Sequence, residues 1–325
     1  MKTFLLVNFG GPREEKEIAP FLTELLQDRD VIRTKLPRFA HNWLFGRIAR
    51  KRALKIRDDY EEIGGKSPIY DDTEKLAKIL SEKLNAPVGT FHRYLPATHA
   101  ASLEWIGKNP AQEIVVLPLF PQFCYATTGS IARFFQLRLQ TKSIQKLRWI
   151  KSYAGHPAFI QAYRKRISDF LALKNVKEEQ TALFFSAHGV PQSFVNEGDP
   201  YEWETSVSFR EIGKGFPKAL CHLAYQSKFG RGEWLRPYTN EACEQVTQWH
   251  QGREQIVFVP VSFTSDHIET LFEIEKLYLP ILQKKNLTPY RCPALNLEPY
   301  WIDALSQILQ ETNLCANQML IRPKK

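Results

Sequence analysis

Two short stretches carry most of the chemistry this sequence could perform. Ser186-Ala187-His188-Gly189-Val190-Pro191 places an imidazole directly after an apolar run and just before a turn. Phe263-Thr264-Ser265-Asp266-His267-Ile268-Glu269 gathers two carboxylates and a second imidazole where another apolar run gives way to a helical pattern. Imidazole changes its charge near neutral pH, so His188 suits a general base or a ligand to a divalent metal. A carboxylate beside it would fix its orientation and stabilise its protonated form. Glu269 and Glu273, spaced i,i+4, share one helix face, where like charges cost about 0.2–0.5 kcal/mol unless a cation or solvent intervenes. Each feature also has a plainer reading. A histidine at a strand end is commonly a hydrogen-bonded structural residue, Asp266 with Glu269 fits a capping-box pattern at a helix start, and a glutamate pair is commonly a solvated face.

Other polar groups follow apolar runs in the same way. Arg93-Tyr94 ends one run, where an arginine could meet a carboxylate or make a surface ion pair. Pro118-Leu119-Phe120-Pro121-Gln122-Phe123 and Thr127-Thr128-Gly129-Ser130 fit a tight turn and a helix cap. Asn8-Phe9-Gly10-Gly11-Pro12 lacks the G-x-G-x-x-G spacing, and no G-x-x-x-x-G-K-[ST] occurs, so no nucleotide fingerprint is read.

The elements that must position these groups alternate. Strand-like apolar runs occupy 3–9, 113–120, 181–187 and 255–263, with weaker candidates at 87–94, 147–153 and 288–296. Helical patterns fall at 17–27, 71–84, 97–107, 159–173 and 266–284. Runs apolar at nearly every residue fit strands buried on both faces of a parallel sheet. The alternation predicts an α/β doubly wound architecture, in which ligands bind beyond the carboxyl ends of the strands. FLLVNFGGP and LFFSAHGVP echo one another, as do IVVLPLF and IVFVPVSF, which is the pattern two related halves would leave. The expected boundary lies after Tyr153: residues 1–155 form the first half, completed by a C-terminal helix over 300–325, and 156–299 form the second.

Composition sets outer bounds. The 325 residues are 43% hydrophobic and 24% charged, ordinary for a globular chain. Cys124, Cys221, Cys243, Cys292 and Cys315 form no C-x-x-C pair, which suits free thiols in a reducing compartment. The first residues run at once into an apolar strand pattern without a leader-like sequence, and no run of 18 apolar residues occurs. The expectation is a cytoplasmic protein, at most peripheral to the inner face of a membrane. The net charge of +9 is concentrated in 31–57, where nine basic residues (Arg33, Lys35, Arg38, Arg47, Arg50, Lys51, Arg52, Lys55 and Arg57) occur without an acidic one. Such a segment implies an anionic partner. The neutral remainder argues against nucleic acid.

Taken together, the motifs resemble the ferrochelatase family over nearly the whole chain. LLVNFGGP, FLTELLQDRDVI, KIRDDYEEIGGKSPI, RYLPATHAAS, PLFPQFCYATTGS, FSAHGVPQSFVNEGDPY, AYQSKFGRGEWLRPYT and FVPVSFTSDHIETLFEIE follow in that family's order. The resemblance implies two similar Rossmann-like halves, each a parallel sheet flanked by helices, with a porphyrin cleft between them. It implies insertion of ferrous iron into a porphyrin, the last step of haem synthesis. His188 would be the family's central histidine and Glu269 its partner carboxylate. Arg93 and Tyr94 match the opposite wall of the cleft, and Phe9 a variable cleft position. Arg52, Tyr60 and Ser67 match positions that hold the propionates, and Asp266 and His267 lie beside Glu269, with Glu273 one turn on.

The residue types suit that reaction. Metallation removes two protons from pyrrole nitrogens and so needs a base poised near neutral pH. A small set of imidazole and carboxylate ligands suits transfer of iron better than storage. Trp43, Leu44, Phe45 and Ile48 interleave with the basic segment and could touch an anionic membrane; a solvated basic helix explains the same residues. The chain also departs from the family. Leu277 stands where a third acidic residue is common, and Tyr225 replaces the tryptophan before QSK. The tail has only Cys315, and Tyr125 occupies the position of a further cluster ligand, so no [2Fe-2S] cluster is expected. AYQSKFGRGEWLRPYT is closer to members that use protoporphyrin than to those that use coproporphyrin. A related cobaltochelatase, and a porphyrin- or haem-binding carrier without turnover, are the competing readings.

Overall fold

The computed structural model describes residues 2–230 and 232–322. Position 231, within the quoted AYQSKFGRGEWLRPYT motif, and positions 323–325, within the predicted C-terminal helix, lie outside the described residues. The chain forms two compact units, Met1–Ser152 with Leu305–Lys325, and Tyr153–Ala304.

In the first unit the elements are β1 (Thr3–Asn8), α1 (Ile18–Gln27), α2 (Arg38–Glu62), α3 (Ile69–Leu84), β2 (Val88–His92), α4 (Pro96–Lys108), β3 (Ile114–Pro118), α5 (Ser130–Arg138), α6 (Thr141–Ile144) and β4 (Leu147–Ile150). In the second they are α7 (Pro157–Leu173), β5 (Thr181–His188), α8 (Gln192–Asn196), α9 (Tyr201–Gly213), β6 (Leu220–Gln226), α10 (Thr239–Glu244), α11 (Val246–Trp249), β7 (Gln255–Val259), a π-helix (Glu269–Tyr278), α12 (Leu279–Gln283) and β8 (Thr288–Arg291). Helix α13 (Pro299–Gln310) passes from the second unit back to the first, where β9 (Cys315–Ala316) joins the sheet. The predicted C-terminal helix over 300–325 is therefore corrected: the helix stops at Gln310, and the chain turns to pair antiparallel with β4.

The sheets have the orders β2-β1-β3-β4-β9 and β6-β5-β7-β8. Among the described residues, every strand pairing within the two sheets is parallel except that of β9 with β4. In both units the first strand lies between the second and third, and the fourth follows. The echoed sequences occupy the corresponding positions, β1 with β5 and β3 with β7. Both members of each pair are central strands, and their burial explains the continuous apolar runs: β1 and β3 are buried at every residue. Pro289 sits on β8, which pairs only with β7, as a residue without an N–H must. Around the second sheet, Phe184 and Phe258 stack with ring centroids 4.4 Å apart within a core that includes Ile256, Ile274 and Leu282.

In this strand order the direction in which successive strands are added reverses between β5 and β7, and between β1 and β3. These are the switch points where loops diverge and leave a crevice. Two elements have unusual faces. Helix α2 buries His41, Gly46, Ala49, Ala53 and Tyr60; of these Gly46, Ala49 and Ala53 are small enough to admit a close neighbour, and a Cβ on Gly46 would fall 2.9 Å from the Gln27 amide. Its large apolar residues point outward, with Phe39 78%, Trp43 64% and Leu54 75% exposed. Among the described residues, no helix is long and apolar enough to cross a membrane.

Candidate active site

The carboxyl end of β5 presents His188, and three contacts fix it there. Its N–H donates to Ser262 Oγ at 2.9 Å, and its carbonyl accepts from the Tyr201 hydroxyl at 2.9 Å. Its ring Nδ1 lies 2.6 Å from the Gly189 carbonyl. A carbonyl can only accept, so Nδ1 is the donor here, and in the neutral ring Nε2 is the nitrogen that carries the lone pair. Gly189 makes the close strand end feasible: its N–H donates to the Gln226 carbonyl, and a Cβ would stand 2.8 Å from that oxygen.

Beyond β7 the chain returns to the same strand end. Val261 N–H donates to the Ser186 carbonyl at 3.1 Å, and Tyr163 donates to the Phe263 carbonyl at 2.6 Å. The π-helix then begins at Glu269. Its carboxylate spans two imidazoles, with Oε1 3.6 Å from His188 Nε2 and Oε2 3.5 Å from His267 Nε2. His188 is 37% and Glu269 24% exposed at the side chain, so the pair is accessible to a ligand. Burial, the largest single influence on His267, lowers its proton affinity, but Glu269, Asp266 and the Ser265 carbonyl together raise it above the ordinary value.

Asp266 is buried. Its carboxylate accepts from Thr270 Oγ1 at 2.8 Å, Arg291 Nη1 at 3.0 Å and Asn296 Nδ2 at 2.9 Å. The capping-box reading of Asp266 with Glu269 is thereby corrected: Asp266 ties the helix start to the loop after β8, while Glu269 faces the imidazoles.

One turn on, Glu273 joins the site through groups that the sequence reading left unassigned. Gln226, at the end of β6 and paired with His188, donates to the Glu269 carbonyl at 2.9 Å and to Glu273 Oε2 at 3.3 Å, and accepts from Ser186 Oγ at 2.6 Å. Ser227, held at φ +61°, donates to Glu273 Oε2 at 2.6 Å. The signal for both was available in the QSK of the quoted motif, which follows a strand. Burial above all, then the charge of Glu269, pushes the Glu273 carboxyl up to about 7; the Ser227 hydroxyl and the two imidazoles partly offset them. Further along the helix Leu277 is exposed, so the line of acids ends at Glu273.

The sequence-predicted residues of the first unit form their own group. The Phe9 ring packs edge-on against Tyr94 at 4.5 Å and Phe21 at 5.9 Å. Tyr94 is wholly buried and donates to Asp28 Oδ2 at 2.9 Å, so its hydroxyl is already committed. Burial, then the Asp28 charge, raises that phenol well above its usual range. Arg93 donates to the same Asp28 at 2.8 Å and to Ser130 Oγ at 2.9 Å. Ser67 is buried against Gly11, where a Cβ would fall 2.5 Å from the serine Cβ. On α2, Tyr60 is buried and Arg52 half-buried. Among the described residues, no group of three or more His, Cys, Asp or Glu is arranged to hold a metal ion.

Comparison with known proteins accords with this arrangement. A family-wide sequence model described as Ferrochelatase matches residues 2–313. Ferrochelatases of Chlamydia abortus and Chlamydia caviae are 44% and 45% identical over 322 residues, covering 99% of this chain and 99% of each relative. A solved structure of SirB from Bacillus subtilis with Fe3+ matches at a TM-score of 0.56 and 13% identity, covering 96% of this chain and 95% of that one. The sirohydrochlorin chelatase SirB from Bacillus subtilis subspecies spizizenii, in complex with cobalt, matches at 0.51 and 14% identity, covering 96% and 94%. At such identity these two matches bear on the fold alone.

Glu273 gives a test in the pH dependence of stability. Between its ordinary value of 4.5 and about 7, the folded chain holds a proton that the unfolded chain has released. Its contribution is therefore fully present below 4.5 and is lost as pH rises through about 7. His267, also raised, acts in the same direction at higher pH. Glu273→Gln should flatten the fall between pH 5 and 7 by up to about 1.4 kcal/mol per pH unit, measured by urea unfolding. An unchanged slope would contradict the assignment.

Proposed function

The chain belongs to the ferrochelatase family and is a metal chelatase, a lyase that inserts iron into a porphyrin for haem synthesis; we propose that its porphyrin is protoporphyrin IX and that His188 and Glu269 carry the exchange of protons for metal. The observation that supports the assignment most directly is the His188–Glu269 pair, with Nδ1 anchored on a carbonyl and Nε2 directed toward a carboxylate 3.6 Å away.

In this reading His188 Nε2 accepts pyrrole protons, and Glu269 stabilises the imidazolium that forms. Nε2 and the carboxylate oxygens are also the donors that ferrous iron, as substrate, would meet on its way to the four nitrogens. Two ligands hold such an ion less tightly than a closed site would, which suits delivery. Glu273, poised near neutral pH and hydrogen-bonded through Ser227, can take protons on from Glu269. Asp266 and His267 position Glu269. Phe9 offers an apolar ring to the macrocycle with Tyr94 supporting it, Arg93 would stand with Tyr94 on the opposite wall of the cleft, and Arg52, Tyr60 and Ser67 would serve the propionates. Protoporphyrin is preferred over coproporphyrin on the motif AYQSKFGRGEWLRPYT.

Anaerobic ferrous insertion, measured with protoporphyrin and coproporphyrin in parallel, tests the proposal. His188→Ala and Glu269→Gln should each lower kcat by about 10²-fold or more while leaving the fold intact, the usual scale for loss of a general base. Substantial turnover by His188→Ala, or faster turnover of coproporphyrin by the unsubstituted protein, would refute the corresponding part. Cobalt insertion into another tetrapyrrole in preference to iron would favour the cobaltochelatase reading.

The proposal extends to location. A cytoplasmic protein would touch the inner face of an anionic membrane through α2, where Phe39 and Trp43 are exposed and the Arg47 guanidinium lies 5.1 Å from the Trp43 ring centroid. Flotation with phosphatidylserine vesicles should show weak binding that declines with salt and falls further when Phe39 and Trp43 are both changed to Ser. Equal flotation of that variant would count against it.

We also propose that the chain works without an iron–sulfur cluster. Tyr125 supports this, being buried against Phe123 with ring centroids 5.6 Å apart, and a phenol there supplies no thiolate. Acid-labile sulfide in anaerobically purified protein should be absent; a stoichiometric amount would overturn the expectation.

A further inference from the structure

The first unit contains a cavity of about 1740 Å³ between the end of α1, the 29–37 loop, the start of α2, α5 and the tail at Ile321–Arg322. Its lining is strongly cationic. Arg29, Arg33, Lys35, Arg38, Arg93, Arg133, Arg138 and Arg322 face only three acids, Glu24, Asp28 and Asp30, a formal excess of five positive charges.

Two of the three acids are already hydrogen-bonded, and the third is only within ion-pair distance of Arg93. Asp28 accepts from Arg93, Tyr94 and Ser130. Asp30 accepts from Arg133 Nε at 2.6 Å, and Glu24 lies 3.7 Å from Arg93 Nη1. Arg93 itself is only 8% exposed, yet its Nη1 makes no hydrogen bond in the protein. A buried guanidinium N–H without an acceptor is costly, and a ligand oxygen would remove that cost.

The walls are also fixed in advance. Arg29 Nη2 donates to the Thr34 and Leu36 carbonyls at 2.9 and 3.1 Å, holding the loop. Arg133 donates to the Arg322 carbonyl, holding the tail. Phe134 lies between Arg93 and Arg138, at 4.8 and 5.7 Å from ring centroid to guanidinium carbon. Side chains ordered before binding lose less freedom on binding.

We propose that this cavity binds a small polyanion bearing a chain of phosphate groups, either free polyphosphate or a nucleoside triphosphate. Guanidinium forks match phosphate oxygens in pairs. A triphosphate, carrying three to four negative charges at neutral pH, answers the charge excess better than a simple dicarboxylate does. The volume exceeds that of ordinary small-molecule pockets, which run from about 300 to 1,000 Å³, so a nucleoside fits beside its phosphates.

Isothermal titration of the full chain with inorganic tripolyphosphate, ATP and citrate, at low and physiological salt, tests this. One site per chain is expected for tripolyphosphate, with a dissociation constant on the order of 10 μM at low salt. The exposed pair Arg38→Gln/Arg138→Gln should weaken it at least about tenfold, and the exposed α3 pair Lys75→Gln/Lys78→Gln should leave it unchanged. Arg93→Lys, with circular dichroism to confirm folding, should also weaken it. ATP binding several-fold tighter than tripolyphosphate identifies a nucleoside triphosphate; equal affinity identifies free polyphosphate. No saturable binding, equal loss in both double variants, or tighter binding of citrate would overturn the proposal.

Discussion

Everything at the carboxyl end of β5 depends on one constraint: a single carboxylate, Glu269, is shared between two imidazoles while a second carboxyl lies one turn away. Two charged glutamates on one half-buried helix face would repel each other and lose hydration. The structure resolves this by letting Glu273 hold its proton toward neutral pH, with Ser227 and Gln226 ordering it. Glu269 is thus left to pair with His188 and His267. Were the roles exchanged, the carboxylate nearest the lone pair of His188 would be the protonated one, and the imidazolium would lose its counter-charge.

The fold supplies that arrangement from three strands. β5 delivers His188, β6 delivers Gln226 in register beside it, and the turn after β7 delivers the Asp266–Glu269 run. Parallel strands that start together also end together, so residues distant in sequence meet at one edge of the sheet. The π-helix contributes a further element. Its wider hydrogen-bond ring leaves backbone carbonyls less regularly satisfied, and the Gln226 amide takes up that of Glu269. Strand β6 is thereby tied to the first residue of the helix, so the position of Glu269 depends on both.

Central strands were the most legible part of the sequence, because burial on both faces writes an uninterrupted apolar run. The β1/β5 and β3/β7 echoes reflect the shared strand order of the two units. Edge and surface elements were less legible for physical reasons. β6 is only half-buried for most of its length and mixes Cys221 and His222 among apolar residues, so it lacks a run. Helix α9 buries Glu204, Thr205 and Ser208 alongside Tyr201 and Ile212, so its inner face carries almost no apolar period. Helix α2 is inverted, with alanine and glycine inside and Phe39 and Trp43 outside. At the site, the ionisable residues were visible from type and position. Gln226 and Ser227 were not singled out, because an amide and a hydroxyl carry no chemistry of their own until a carboxylate is placed against them.

The basic segment shows how a single count in a sequence can divide between separate surfaces. The chain has 44 basic and 35 acidic residues, and the nine between 31 and 57 equal the whole excess. In the fold, Arg33, Lys35 and Arg38 line the cavity of the first unit, whereas Arg47, Arg50 and Lys51 lie exposed further along α2. Neither group is balanced by a matching set of acids within the segment. Concentrated like charge weakens the folded state through mutual repulsion, most at low ionic strength, where screening is weakest. Of the acids that line the cavity, Asp28 is hydrogen-bonded to Arg93 and Asp30 to Arg133. Anions from outside, at a lipid surface along α2 or on a small molecule in the cavity, would relieve it further.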